Sequence, residues 1–113
     1  MVTTTTPGGG QGNDTIYGGP GPDVMYGDDQ LGVLPSSVGA DFLDGGHEDD
    51  ELNGGPGSDN LLGKSGTDVL AGDDGNDILK GGNGPAGEAD QGDGGAGLGD
   101  QCVQLEVAAV NCP

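Results

Sequence analysis

The 113-residue chain has no tryptophan and only three aromatic side chains, Tyr17, Tyr26 and Phe42. Lys64 and Lys80 are its only cationic side chains besides one histidine, against 20 acids, so the formal charge is −18. An acidic surface of this strength repels nucleic-acid phosphates and anionic lipid. No apolar run approaches the ~20 residues of a membrane span. The opening Met1-Val-Thr-Thr-Thr-Thr-Pro lacks the basic and apolar regions of an export signal, and residues 1–8 read as a Thr/Pro linker from a longer parent. What is abundant is glycine, 28 residues. So flexible a backbone is costly to order, and the few apolar side chains cannot offset that entropy. Composition alone describes a disordered acidic segment, so folding requires that something neutralise the carboxylates.

Order appears as a period of nine. From Gly9 the units read GGQGNDTIY and GGPGPDVMY, and from Gly45 GGHEDDELN, GGPGSDNLL, GKSGTDVLA and GDDGNDILK. Between them lies an interrupted unit that begins Gly27-Asp28, ends Gly39-Ala40-Asp41-Phe42-Leu43-Asp44, and carries about nine extra residues, the insertion 30–38. All seven units hold aspartate sixth: Asp14, Asp23, Asp41, Asp50, Asp59, Asp68 and Asp77. All seven hold a large aliphatic residue eighth: Ile16, Met25, Leu43, Leu52, Leu61, Leu70 and Leu79. Chance would place the seven aspartates so about once in a million, weakened about a hundredfold by the free choice of register. The repeat is genuine.

The glycine-rich first six residues suit a turn, and the last three suit a short strand whose eighth residue faces inward. Two units make one coil of about eighteen residues, and coils must stack because such strands are not stable alone. Stacking aligns Asp14, Asp41, Asp59 and Asp77 on one edge and Asp23, Asp50 and Asp68 on the other. Like charges one strand spacing apart repel unless a cation lies between them. Carboxylates with backbone carbonyls are hard oxygen donors that suit Ca²⁺ better than the stricter octahedron of Mg²⁺. The expected fold is all-β, a right-handed parallel β-roll (a β-solenoid) of four to five coils.

The pattern GGxGxDxUx over Gly9 to Lys80 resembles the repeats-in-toxin (RTX) family of calcium-binding nonapeptides. The resemblance implies an ion between successive turns on each edge, held by carbonyls from the second and fourth positions of one turn, the first and third of the next, and both carboxylates. It implies Gly10, Gly12 and Asp14 with Gly27 and Asp41; then Gly19, Gly21 and Asp23 with Gly45, His47 and Asp50. Asp28, Gly39 and Asp41 would act with Gly54, Pro56 and Asp59; Gly46, Glu48 and Asp50 with Gly63, Ser65 and Asp68; and Gly55, Gly57 and Asp59 with Gly72, Asp74 and Asp77. Two further sites fall in the degenerate repeats 81–101, pairing Gly66 and Asp68 with Asp90, and Gly75 and Asp77 with Asp100. Five to seven Ca²⁺ are therefore expected. Glu48, Lys64 and Asp73 stand where the pattern has glycine, and their backbones must still turn.

Residues 102–113 read as a terminal cap closed by a Cys102–Cys112 disulfide, since an open coil end needs cover. A bridge and weak calcium sites both fit an extracellular, secreted setting. The insertion holds Leu31, Val33, Leu34 and Val38 and reads as an excursion over an outer face, with a partner-binding loop as the alternative. His47 has no serine or cysteine nucleophile beside it in any motif, and the acid pairs Asp49-Asp50 and Asp73-Asp74 are explained by the repeat or by solvation. No catalytic residue is assigned, and the expected partners are calcium ions and neighbouring domains of the parent, with the roll a monomer. The alternatives are an adhesion or partner-binding module displayed on the roll, or the accessory tail of a secreted enzyme.

Overall fold

Each nine-residue unit becomes one turn and one strand. The computed structural model describes residues 9–28, 39–82, 90–96 and 99–103. Its strands are β1 (Thr15–Pro20), β2 (Val24–Tyr26), β3 (Phe42–His47), β4 (Glu51–Asn53), β5 (Asn60–Ser65), β6 (Val69–Ala71), β7 (Ile78–Gly82), β8 (Gln91–Asp93) and β9 (Gln101–Val103). There is no helix among the described residues. Odd strands form one parallel sheet, in the order β1-β3-β5-β7-β9, and even strands another, β2-β4-β6-β8. This is a parallel β-roll. The linker 1–8, the insertion 30–38 and all of the cap beyond Val103, Cys112 included, lie outside the described residues.

The register stacks like on like. Ile16 pairs with Leu43, Leu43 with Leu61, and Leu61 with Leu79; on the other side Met25 pairs with Leu52 and Leu52 with Leu70. Because side chains alternate across a strand, these eighth-position residues all point between the sheets. Met25, Leu43, Leu52, Leu61, Leu70 and Leu79 form the buried core, with Ile16 and Cys102 partly buried against it. Leu70 pairs with Gly92, so the last rung of the even sheet adds no inward side chain. The interior is one aliphatic residue wide on each side. That is a narrow core for a chain so rich in glycine.

Strands β1, β3, β5 and β7 are longer than the three residues expected. In β1, β3 and β5 pairing runs three residues into the following turn, because second-position residues stack in register as Gly19, Gly46, Lys64 and Gly82. The ladder of N–H and C=O groups continues through them.

The turns require left-handed backbone, and glycine supplies it without a steric cost. Three non-glycine residues among those described have positive φ: Glu48 at 74°, Lys64 at 80° and Asp73 at 70°, the three that stand in place of pattern glycines. An L-residue in this region costs on the order of 1–2 kcal/mol, partly offset by its smaller entropy loss relative to glycine. Glu48→Gly is therefore expected to stabilise the folded roll by roughly 0.5–1 kcal/mol, read as a rise in the denaturant midpoint at fixed metal concentration. Lys64 is a less clean test, since its Nζ lies 2.6 Å from Asp44 Oδ2 on the rung before.

Candidate metal centre

Turn stacking brings the sixth-position aspartates into two continuous ladders. On one edge Asp14 N–H donates to Asp41 Oδ1 (2.8 Å), Asp41 N–H to Asp59 Oδ1 (2.7 Å), Asp59 N–H to Asp77 Oδ1 (2.8 Å) and Asp77 N–H to Asp100 Oδ1 (2.9 Å). On the other, Asp23 N–H donates to Asp50 Oδ1 (2.8 Å), Asp50 N–H to Asp68 Oδ1 (2.9 Å) and Asp68 N–H to Asp90 Oδ1 (2.9 Å). One oxygen of every carboxylate after Asp14 and Asp23, which head the ladders, is thus fixed by the preceding rung. Asp90 and Asp100, within the degenerate repeats 81–101, join the same ladders.

The other oxygen is left over. Oδ2 of Asp14, Asp23, Asp41, Asp50, Asp59, Asp68, Asp77 and Asp100 is buried and has no hydrogen-bond partner. An unsatisfied buried carboxylate oxygen costs several kcal/mol unless something meets it. Glycine at the first position of each turn leaves the space these oxygens face. A Cβ on Gly9 would sit 2.6 Å from both Asp14 Oδ2 and the Gly27 carbonyl oxygen. The same pairing recurs for Asp23 with the Gly45 carbonyl at Gly18, Asp41 with Gly54 at Gly27, and Asp50 with Gly63 at Gly45. It recurs again for Asp68 with the Gly81 carbonyl at Gly63, and for Asp77 with Gly94 at Gly72. At Gly54 the three nearest atoms all belong to Asp59, with Oδ2 2.4 Å from the added carbon. Each cradle therefore gathers a carboxylate oxygen, and at six of the seven a carbonyl oxygen from the next rung as well. Such an all-oxygen donor set fits Ca²⁺.

Among the described residues no three His, Cys, Asp or Glu side chains converge into a site by themselves. Backbone carbonyls must complete the coordination, which is why rung spacing and glycine content matter. The fourth-position glycines enforce that spacing: a Cβ on Gly39, Gly57, Gly66 or Gly75 would fall 1.4–2.1 Å from the carbonyl oxygen of the rung before. Gly10 and Gly12, at the first rung, would meet nothing within 4 Å. Gly19, Gly46 and Gly55 have left-handed second-position backbone, as do Gly21 and Gly12 at the fourth.

Other residues expected at the sites divide into several kinds. Pro56 accepts a hydrogen bond from Gly39 N–H (3.3 Å) and Asp74 one from Gly57 N–H (2.7 Å), both through their carbonyls. His47 is exposed, and its Nδ1 lies 2.9 Å from Ser65 Oγ on the next rung. A serine thus stands beside the histidine in space, eighteen residues away in the chain and outside any sequence motif. Its hydroxyl donates to the Gly46 carbonyl (3.2 Å), so its single proton is already committed and the oxygen accepts from the ring. That is a surface link between rungs rather than an activated nucleophile. Two contributors escaped the sequence reading, the first-position carbonyls of Gly81 and Gly94. Their signal was present, since both open recognisable Gly-Gly units.

Asp28 departs further. The resemblance implies that it acts through its carbonyl, but its side chain is 5% exposed and both carboxylate oxygens are buried with no well-formed hydrogen bond, the Gly39 N–H being the one backbone donor near them.

Without cations, burial raises the carboxylate pKa values, because the charged form loses hydration. Burial is the main cause for Asp59 and Asp68, pushed up to about 7, and for Asp28 and Asp50, pushed up to about 6. Neighbouring carboxylates add to it, while backbone N–H donors oppose it. Asp23, Asp41 and Asp77 are also raised, chiefly by burial. A folded-state pKa above the unfolded value means that the metal-free fold binds extra protons, so its stability is full below about pH 4 and falls as pH rises through 6 to 7. In a chelator, β-sheet circular dichroism is therefore expected to be stronger at pH 4 than at pH 8. With limiting Ca²⁺ the order reverses, since protons compete for the same oxygens.

A family model described as RTX calcium-binding nonapeptide repeat (4 copies) matches residues 8–30, 37–61 and 62–84, more than half of the chain. No curated protein and no solved structure matches.

Proposed function

The chain belongs to the RTX calcium-binding nonapeptide repeat family, and from that premise we propose that it folds by binding about five to seven Ca²⁺ between its rungs. At the coarser level it is a calcium-binding β-roll module, a structural unit rather than a catalytic one. The observation that carries the finer reading is the row of buried, partnerless Oδ2 atoms, seven of them at a first-position glycine and six of those beside a carbonyl. Asp14, Asp23, Asp41, Asp50, Asp59, Asp68 and Asp77 are the principal side-chain ligands of this scheme. Seven divalent ions would reduce the formal charge from −18 to about −4.

Coupling of metal binding to folding gives the module a purpose in a secreted protein. It stays open in calcium-poor cytosol and locks outside the cell, with a Cys102–Cys112 bridge closing its end. Native mass spectrometry at rising Ca²⁺ tests the scheme: it predicts cooperative uptake of five to seven ions, whereas one or two non-cooperative ions would sink it.

The adhesion alternative receives less support. The outward column of the odd sheet runs Tyr17, Asp44, Leu62, Lys80 and Val103, which offers no regular array to a flat ligand. Tyr17, at 67% exposure, is the most open large apolar residue described, and its ring packs at 6.2 Å against Phe42. The outward apolar set of Tyr17, Val24, Tyr26, Phe42, Leu62, Val69 and Ile78 fits half-covered surface beneath a neighbouring domain of the parent.

A further inference from the structure

Resting on that calcium-binding reading, we propose that the Asp28 carboxylate is itself a ligand, joining Asp41 Oδ2 and the Gly54 carbonyl in a cage that holds a hard cation more tightly than the others.

The second position of a turn elsewhere offers a backbone carbonyl. Gly10, Gly19, Gly46, Gly55, Lys64, Asp73, Gly82 and Gly95 all have positive φ there. Asp28 is the only described second-position residue that does not. The consequence shows on the neighbouring rung. A Cβ on Gly46, Gly82 or Gly95 would meet the second-position carbonyl oxygen of the preceding rung, at 2.5, 1.9 and 2.0 Å. A Cβ on Gly55 meets instead the Asp28 side chain, Cβ and Oδ2 both at 3.0 Å. A carboxylate thus lies where the other turns place a neutral carbonyl.

That carboxylate is sealed from water, at 5% exposure, and neither oxygen makes a well-formed hydrogen bond, the Gly39 N–H being its one nearby backbone donor. The charges of Asp41 and then Asp14 act on it, and its own charge acts on Asp59. Asp41 Oδ2 and the Gly54 carbonyl already converge at Gly27, 2.4 and 2.5 Å from the position of an added carbon, next in the chain to Asp28. An extra anionic oxygen in an otherwise uniform series raises affinity for that one ion, because calcium sites are tuned by ligand charge. A trivalent lanthanide gains still more from the same charge.

Tyr26 and Asp28 line one recess with Asn53, Gly54, Gly55 and Pro56, so tyrosine-sensitised Tb³⁺ emission reports on this cage. The full chain is titrated with Tb³⁺ and, separately, with Ca²⁺ followed by native mass spectrometry. Asp28→Asn is expected to weaken the first ion bound by about tenfold and leave the later ions unchanged. Asp28→Glu, which keeps the charge, should retain most of the effect. Glu51→Gln, which removes a charge from an exposed strand position, should leave the first ion unaltered. Circular dichroism at saturating Ca²⁺ verifies that each variant is folded. First-ion curves that superimpose for Asp28→Asn and the unmodified chain overturn this inference alone, as does equal weakening by Glu51→Gln. Failure of the unmodified chain to take up either ion overturns the calcium-binding reading as well.

Discussion

With calcium removed by excess chelator at pH 7.5, the chain is expected to show the circular dichroism of an unfolded polypeptide, and a few millimolar Ca²⁺ should restore β-sheet cooperatively. The argument is one of charge in a small volume. Ten aspartates are buried in the described part of the fold: Asp23, Asp28, Asp41, Asp44, Asp50, Asp59, Asp68, Asp77, Asp90 and Asp100. Lys64 meets only Asp44, on the outer face, so it relieves neither ladder. Six fully buried aliphatic side chains are the whole described core and cannot outweigh that repulsion together with the ordering of 28 glycines. Divalent ions between rungs reverse the sign of the electrostatics, and their binding free energy becomes folding free energy. Size-exclusion chromatography should register the same event as a contraction. A chain equally folded in chelator and in calcium would remove both the coupling and the export role built on it.

The second large effect is expected at Asp59, in the middle of its ladder. Its Oδ1 accepts from Asp41 N–H at 2.7 Å, its own N–H donates to Asp77, and its Oδ2 faces the cradle at Gly54. Asp59→Asn preserves the shape and one acceptor but removes the charge a cation needs. The calcium midpoint of folding is predicted to rise at least tenfold, about 1.4 kcal/mol or more, with at least one ion lost from the stoichiometry. Asp14→Asn, at the half-buried first rung, should cost a few-fold at most, since only one described neighbour rests on it. The pair of variants separates two accounts of the aspartate rows. If the carboxylates were merely a repulsive burden, Asp59→Asn would lower the calcium requirement instead.

Most of the architecture could be read from the spacing of residues, and the reason is physical. A solenoid repeats one local problem, so the periodicity that places Asp59 also places Asp41 and Asp77. The eighth-position residues from Met25 to Leu79 point inward, and Glu48, Lys64 and Asp73 carry the left-handed backbone expected of their positions. What the spacing could not reveal lies where one unit departs from the average. Every other described second-position residue has positive φ, so nothing in the pattern suggested that Asp28 would turn its side chain inward. The contact of His47 with Ser65 spans eighteen residues and appears only once the coils are stacked. The extension of β1, β3 and β5 likewise depends on neighbouring turns aligning, a property of pairs of rungs and not of any single unit.

Crystals grown in excess Ca²⁺, with anomalous scattering collected from the ions, test the central claim most directly. Peaks are predicted between successive rungs along both edges, each bonded to an aspartate Oδ2 and, at Asp14, Asp23, Asp41, Asp50, Asp68 and Asp77, to the first-position carbonyl of the next turn. A folded roll with no metal scattering beside those oxygens would contradict it.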